Sequence, residues 1–203
     1  KLKKIVQDIS TLARENAIQI IAEALGPNDI VVSTTGMISR ELYEYREAVD
    51  GSHSRDFLTV GSMGHASQIA MGIALAKPDR QVICLDGDGA AIMHMGTLAI
   101  IGSRKMENFK HIIINNAAHD SVGGQPTVGG ETDFTKIADA CGYKATWVVK
   151  TKEELKQILP RLCSSQGPSL LEVQVGKGAR KDLGRPKTTT TENKKIFMKH
   201  LVS

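Results

Sequence analysis

The residues best suited to chemistry fall in two short clusters. Gly87-Asp88-Gly89 lies between an apolar strand and the helix that follows it. Glycines there allow a tight turn and close approach of a ligand to the backbone. The opening amides of the helix favour phosphate. Alone, the same residues also describe a solvated turn before a helix. The second cluster, Asn115-Asn116, ends the apolar strand His111 to Ile114 and by itself reads as a turn opener. Twenty-five residues lie between Gly89 and Asn115, the length of one helix plus one strand, so both loops reach the same sheet edge. One carboxylate and one amide oxygen there make a hard-oxygen Mg²⁺ site with positions left for diphosphate oxygens and water. The rival is a dinucleotide fingerprint, Gly-x-Gly-x-x-Gly, but Ile92 stands where its third glycine belongs.

Alternating helices and strands must position these clusters. The steps between Ile5, Ile9, Leu12, Ile18, Ile21, Ala22 and Leu25 predict a helix that Gly26-Pro27-Asn28-Asp29 stops. A strand at Ile30 to Val32, a helix from Ser39 to Val49 and a strand at Phe57 to Val60 follow. Gly61-Ser62-Met63-Gly64 breaks the chain, a small-residue helix follows to about Ala76, and a strand runs from Gln81 to Leu85. One helix is expected from the Gly-Asp-Gly turn to Gly102. After His111 to Ile114 come a helix at Phe134 to Cys141, a strand at Ala145 to Val149 and a helix at Lys152 to Leu162. Ser169 to Val175 is a last strand, and Thr190 to Leu201 a short amphipathic helix. The order predicts an α/β fold, a mostly parallel sheet with helices on both faces. Ligands then bind outside the carboxyl ends of the strands. Those ends are Thr34-Thr35-Gly36, Gly61 to Gly64, Asp86 to Gly89 and Asn115-Asn116. From Ala117 to Thr132 the chain is Gly-rich and polar, too long for an idle connection. Residues 1–203 read as one domain, with 177–203 as a basic tail and short helix.

The chain has 203 residues, 41% hydrophobic and 24% charged, enough for a packed core and unlike a disordered or disulfide-stapled chain. No apolar run is long enough to span a membrane. Asp8, Arg14 and Glu15 interrupt the basic start, unlike a signal peptide. A net charge of +4 with dispersed basic residues and 4% aromatics does not support nucleic-acid binding. Cys84, Cys141 and Cys163 lie far apart with no C-x-x-C spacing, which predicts a reducing, cytoplasmic setting and no zinc or iron–sulfur site. The chain opens on Lys1, as a piece of a longer protein would.

Gly-Asp-Gly, some two dozen residues and then Asn-Asn resembles the signature of the thiamine-diphosphate enzymes. The resemblance implies a thiamine-diphosphate-binding fold. It implies that Asp88, Asn116 and the main-chain carbonyl of Ala118 bind Mg²⁺, and that Thr35, Gly61, Ser62, Met63, Gly87, Gly89 and Ala90 join Asp88 and Asn116 around thiamine diphosphate. Met63, between small residues, would prop the bent cofactor, with core filling as its plainer reading. The stretches Ser33 to Leu42, Gly61 to Ala66 and His119 to Gln125 look like the phosphonopyruvate decarboxylases, and the sulfopyruvate decarboxylases are similar. Asp182-Leu183-Gly184-Arg185-Pro186 fits the phosphonopyruvate branch better. The implied reaction takes 3-phosphonopyruvate, a small anionic 2-oxo acid, to phosphonoacetaldehyde and CO₂. The other readings are a sulfopyruvate decarboxylase beta subunit and a non-catalytic cofactor-binding subunit. The family's activating glutamate lies on a pyrimidine-binding domain or subunit. No equivalent is visible here, since Glu15 and Glu23 sit on an ordinary amphipathic helix, so a homo- or hetero-oligomer is implied.

His119-Asp120, just after the expected metal ligands, is read as a catalytic pair that touches substrate or delivers a proton. His65 could steer cofactor or substrate. His94 is expected as a packed, satisfied histidine, and Cys84 as a small core residue. Lys177, Arg180, Lys181, Arg185 and Lys187 read as a solvated run, or as donors for an anionic head group.

Overall fold

The computed structural model describes residues 12–49 and 51–202. Ile5 and Ile9, expected on the first helix, lie outside them. In chain order the elements are α1 Arg14–Ala24, β1 Ile30–Ser33, α2 Met37–Val49, β2 Asp56–Leu58, α3 Ala66–Ala76, β3 Val82–Gly87, α4 Asp88–Met93, α5 Gly96–Arg104 and β4 Phe109–Asn115. Then follow β5 Ala118–His119, β6 Gln125–Pro126, α6 Phe134–Cys141, β7 Ala145–Val149, α7 Lys152–Ser164, β8 Ser169–Gln174 and α8 Thr190–Val202.

Six strands form one sheet in the order β2-β1-β3-β4-β8-β7, every neighbouring pair parallel. The expected α/β architecture is present. Fully buried runs such as Val82 to Leu85 and Phe109 to Asn115 suit strands covered on both faces. On one face Ile18, Ile21, Leu42, Leu155 and Leu159 pack on Ile83, Leu85 and Ile112. On the other Ala70, Ala74, Ile101, Phe134 and Phe197 pack on Val32, Cys84 and Ile113. From β1 the chain runs to β2 on one side and then to β3 on the other. The crevice between the carboxyl ends of β1 and β3 is therefore a topological switch point, where ligands bind in open α/β sheets.

Two expectations need correction. The single helix to Gly102 is two, α4 and α5, broken where His94 leaves helical geometry (φ −131°, ψ 43°) just before Gly96. Glycine is a poor helix former, so the break costs little. The expected strand at Phe57 to Val60 is Asp56–Leu58, and Val60 stands exposed beyond it. Inside Ala117 to Thr132, β5 and β6 pair antiparallel and fold the segment back on itself.

The basic segment leads into α8, which is built into the sheet. Phe197 and Leu201 are buried, and Phe197 packs on Phe57. Asn193 covers the free edge of β2. It accepts from the Leu58 N–H (3.2 Å) and donates to the Asp56 carbonyl (3.0 Å). An unpaired edge strand is a template for association, and this amide closes it. Asn193→Ala leaves two buried backbone groups unpaired and is expected to cost about 2 kcal/mol or more, measurable by urea unfolding.

Candidate functional site

A cleft opens at the switch point. Thr34 and Thr35 after β1, Gly87 to Ala90 after β3, and Asn116 and Ala118 to Ser121 after β4 line it, with Met63 and Arg14. Of the expected site residues, it gathers Thr35, Met63, Gly87, Asp88, Gly89, Ala90, Asn116, Ala118, His119 and Asp120. Gly61 and Ser62 are not among the lining residues. Both are exposed, and the Gly61 N–H donates to Thr35 Oγ1 (3.3 Å). Positive φ at Gly61 (68°) and Ser62 (45°) turns the chain there, so the loop forms a rim and only its Met63 enters the cleft.

Asp88 is 2% exposed. Burial pushes its carboxyl above the ordinary range; the Thr127 hydroxyl and the backbone N–H groups of Gly89 and Asn116 oppose that shift. Gly129 presses against it from the loop, where a Cβ would collide with Asp88 Oδ2. A Cβ on Gly89 would likewise strike His119 and crowd the Met63 methyl. The two neighbouring asparagines separate in role. Asn115 donates to the Gly129 carbonyl and to Glu172 (both 2.8 Å) and accepts from the Ala117 N–H (3.0 Å), which commits it to the loop. Asn116 faces the cleft, donates to Asp120 Oδ2 (2.8 Å) and accepts from the Ala118 N–H (3.1 Å).

Arg14 carries no sequence signal and was not expected here. It is 4% exposed and bidentate to Glu41 (both 2.9 Å), and it reaches Asp120 Oδ2 at 2.6 Å. Burial works against its charge, but Glu41 and Asp120 outweigh it. Burial pushes Glu41 up, and Arg14 reverses only part of that. Thr127 is the other unforeseen partner. Its one hint was the length of the loop that carries it.

Other expectations resolve as follows. His94 lies beside His65 (ring centroids 4.3 Å, planes tilted by 54°), but among the described residues its buried Nδ1 has no hydrogen-bond partner, so it is not the satisfied histidine expected. His65 is exposed, with Nδ1 3.2 Å from the Ser62 carbonyl. Cys84 is core. It lies near Asp86 and His111, whose side chains bond each other (3.4 Å), while His111 also meets Tyr143 (3.3 Å). Arg180 in the basic segment pairs with Glu15 (2.9 Å), Glu44 and Asp182 (3.0 Å). No glutamate is among the described residues lining the cleft.

The donor set fits a divalent cation. The buried Asp88 carboxylate and the Asn116 amide line the cleft with Ala118, whose backbone carbonyl would be a third oxygen ligand. Without a cation, the ionised Asp88 costs stability. Its folded-state value lies above the unfolded one, so stability falls as pH rises through the folded value. Asp88→Asn should therefore melt a few degrees above the parent at pH 7.5 when metal-free, and with it at pH 3. The same variant should lose Mn²⁺ binding by calorimetry.

Residues 34–173 match the model of the thiamine pyrophosphate enzyme, C-terminal TPP binding domain. The chain is 36% identical over 181 residues to the phosphonopyruvate decarboxylase of Streptomyces viridochromogenes, covering 89% of this chain and 44% of that protein. It is 40% identical over 145 residues to the sulfopyruvate decarboxylase subunit beta of Methanocaldococcus jannaschii, covering 71% of this chain and 73% of that one. In fold it is similar to a protein described as a thiamin diphosphate-dependent enzyme isolated from Mycobacterium smegmatis. The TM-score is 0.70 at 20% identity, over 83% of this chain and 32% of that one. The chain thus spans under half the length of its Streptomyces relative. A family match across the sheet and the cleft loops alike makes this chain a member of the thiamine pyrophosphate enzymes, carrying their C-terminal TPP binding domain.

Proposed function

We propose that residues 1–203 act as one domain, the diphosphate- and Mg²⁺-binding half of a thiamine-diphosphate-dependent 2-oxo acid decarboxylase. Its substrate is 3-phosphonopyruvate, and its products are phosphonoacetaldehyde and CO₂. The observation that carries this reading is the meeting of Asp88, Asn116 and Ala118 in one cleft with Met63 across from Gly89. Relatives named for phosphonopyruvate decarboxylation align with 89% of the chain. Sulfopyruvate is the second reading, supported by the 40% identity to a beta subunit.

Asp88, Asn116 and the Ala118 carbonyl would hold Mg²⁺, which would supply positive charge for the cofactor's diphosphate. Thiamine diphosphate, when bound, supplies the electron sink that lets CO₂ depart. Met63 and the Gly61-Ser62 rim, tied to Thr35, shape the space above Gly89. His119, beside Gly89, delivers a proton toward the reacting carbon. Arg180 is bound by three carboxylates, which leaves it poorly placed to recognise the substrate's anionic head.

The pyrimidine-activating carboxylate comes from another domain or subunit. Glu41 is bound to Arg14 and Glu15 to Arg180, and among the described residues no glutamate lines the cleft. Val60, Val122 and Val128, exposed in the loops at this end of the sheet, suit contact with that half in a homo- or hetero-oligomer. No described helix is long and apolar enough to cross a membrane. The cysteine spacing favours a cytoplasmic setting.

The decisive assay is CO₂ release with Mg²⁺ and thiamine diphosphate from 3-phosphonopyruvate, sulfopyruvate and pyruvate. The 203-residue chain alone should be inactive, and joined to a pyrimidine-binding half it should prefer 3-phosphonopyruvate. Preference for sulfopyruvate would favour the second reading, and turnover by the chain alone would sink the split site. His119→Ala in the active assembly should lower kcat by about 10²- to 10⁴-fold while cofactor affinity stays near that of the parent.

A further inference from the structure

Asp120 has its Oδ2 surrounded by three donors: Arg14 Nη1 (2.6 Å), Asn116 Nδ2 (2.8 Å) and the Gly178 N–H (2.9 Å). Arg14 is itself fixed by Glu41 on α2 and donates to the Gly178 carbonyl (3.2 Å). Four separate parts of the chain meet here: α1, α2, the loop after β4 and the segment after β8. The amide of Asn116 has two orientations that differ only by exchange of O and N. One places Nδ2 against Asp120 and leaves Oδ1 for a cation. The other sets oxygen against a carboxylate oxygen and turns an NH₂ group toward the metal.

We propose that Asp120, braced by Arg14 and Gly178, is a positioning residue that fixes the Asn116 amide with Oδ1 as the ligand atom. It acts through Asn116 and not as a proton donor. The Oδ1 oxygen accepts the Ala118 N–H with one lone pair and keeps the other for the metal. Outer partners of this kind set the orientation of the ligand that meets the ion, and their loss typically costs about 10- to 100-fold in metal affinity. The segment after β8 thereby bears on the cation site without touching it, because both polar groups of the Gly178 backbone join the clamp.

The inference rests on the reading of Asp88 and Asn116 as metal ligands, and one double-mutant cycle separates the two. Mn²⁺ binding to the full-length protein with thiamine diphosphate is followed by electron paramagnetic resonance, with thermal melting alongside. Asp120→Ala should weaken Mn²⁺ about 10- to 100-fold. In Asn116→Asp, either carboxylate oxygen can ligate, so no amide needs orienting. Adding Asp120→Ala to that background should cost clearly less Mn²⁺ affinity than in the Asn116 parent, the remainder being the loss of one nearby negative charge. A role in folding alone would lower affinity equally in both backgrounds and would overturn the inference. Should Asp120→Ala not fold, Asp120→Asn retains the shape and should show the same contrast at smaller size. Unchanged affinity in Asp88→Ala overturns the metal site and this inference together. Loss in Asp88→Ala with none in Asp120→Ala overturns the inference alone.

Discussion

Asp88 sits at the end of β3, 2% exposed, where burying a carboxylate costs several kcal/mol unless polar partners or a cation meet it. The surrounding structure answers that cost. The loop after β4 brings the Thr127 hydroxyl to the carboxylate, and Gly129 lets the loop close over it because no Cβ intervenes. Asn115 pins that loop to the sheet through Glu172 on β8 and the Gly129 carbonyl. An otherwise irregular segment is thus held against two strands by polar contacts that converge on one anion.

Charge in and beside the cleft is unbalanced in a direction that matters. Asp120 and Glu41 hold one guanidinium, Arg14, and Asp88 lines the same cleft. With all four ionised, an excess of two negative charges remains, which a divalent cation would neutralise. Arg14 prevents the excess from being larger and ties it to α1 and α2. The site therefore couples to elements with no ligand atoms of their own. Removing a buried guanidinium of this kind leaves two carboxylates uncompensated, a more damaging change than losing a surface ion pair such as Lys136–Asp133.

The segment after β8 serves the same core in two places. Gly178 closes on Asp120, and Asn193 closes the β2 edge. Between them Arg180 bridges α1 and α2 through Glu15 and Glu44. Its basic residues look alike in sequence, yet Arg180 is held by three carboxylates while Lys181 and Arg185 stand exposed. What distinguishes them is the arrival of partners from distant helices.

The alternation of strands and helices, the parallel sheet and the loops that meet at its carboxyl edge could all be read from the order of residues. These depend on local periodicity and on turn residues, which are short-range physics. Helix Phe134–Cys141 and strand Ala145–Val149 match their expected bounds because apolar period, the Asp133 cap and Gly142 act within a few residues. Gly87-Asp88-Gly89 and Asn115-Asn116 were legible for the same reason: their chemistry needs those residue types next to one another. The tertiary structure supplies the physical reason that Asn116, which the resemblance implied, and not Asn115 faces the cleft: both have the same amide, and only their partners, Asp120 and Glu172, differ. It also decided that the helix after Asp88 breaks at His94, and that Arg14 and Thr127 belong to the site. Arg14 lies 106 positions from Asp120, and Thr127 lies 39 from Asp88. No local pattern marks a side chain whose role is set by a carboxylate that the fold brings to it from so far along the chain.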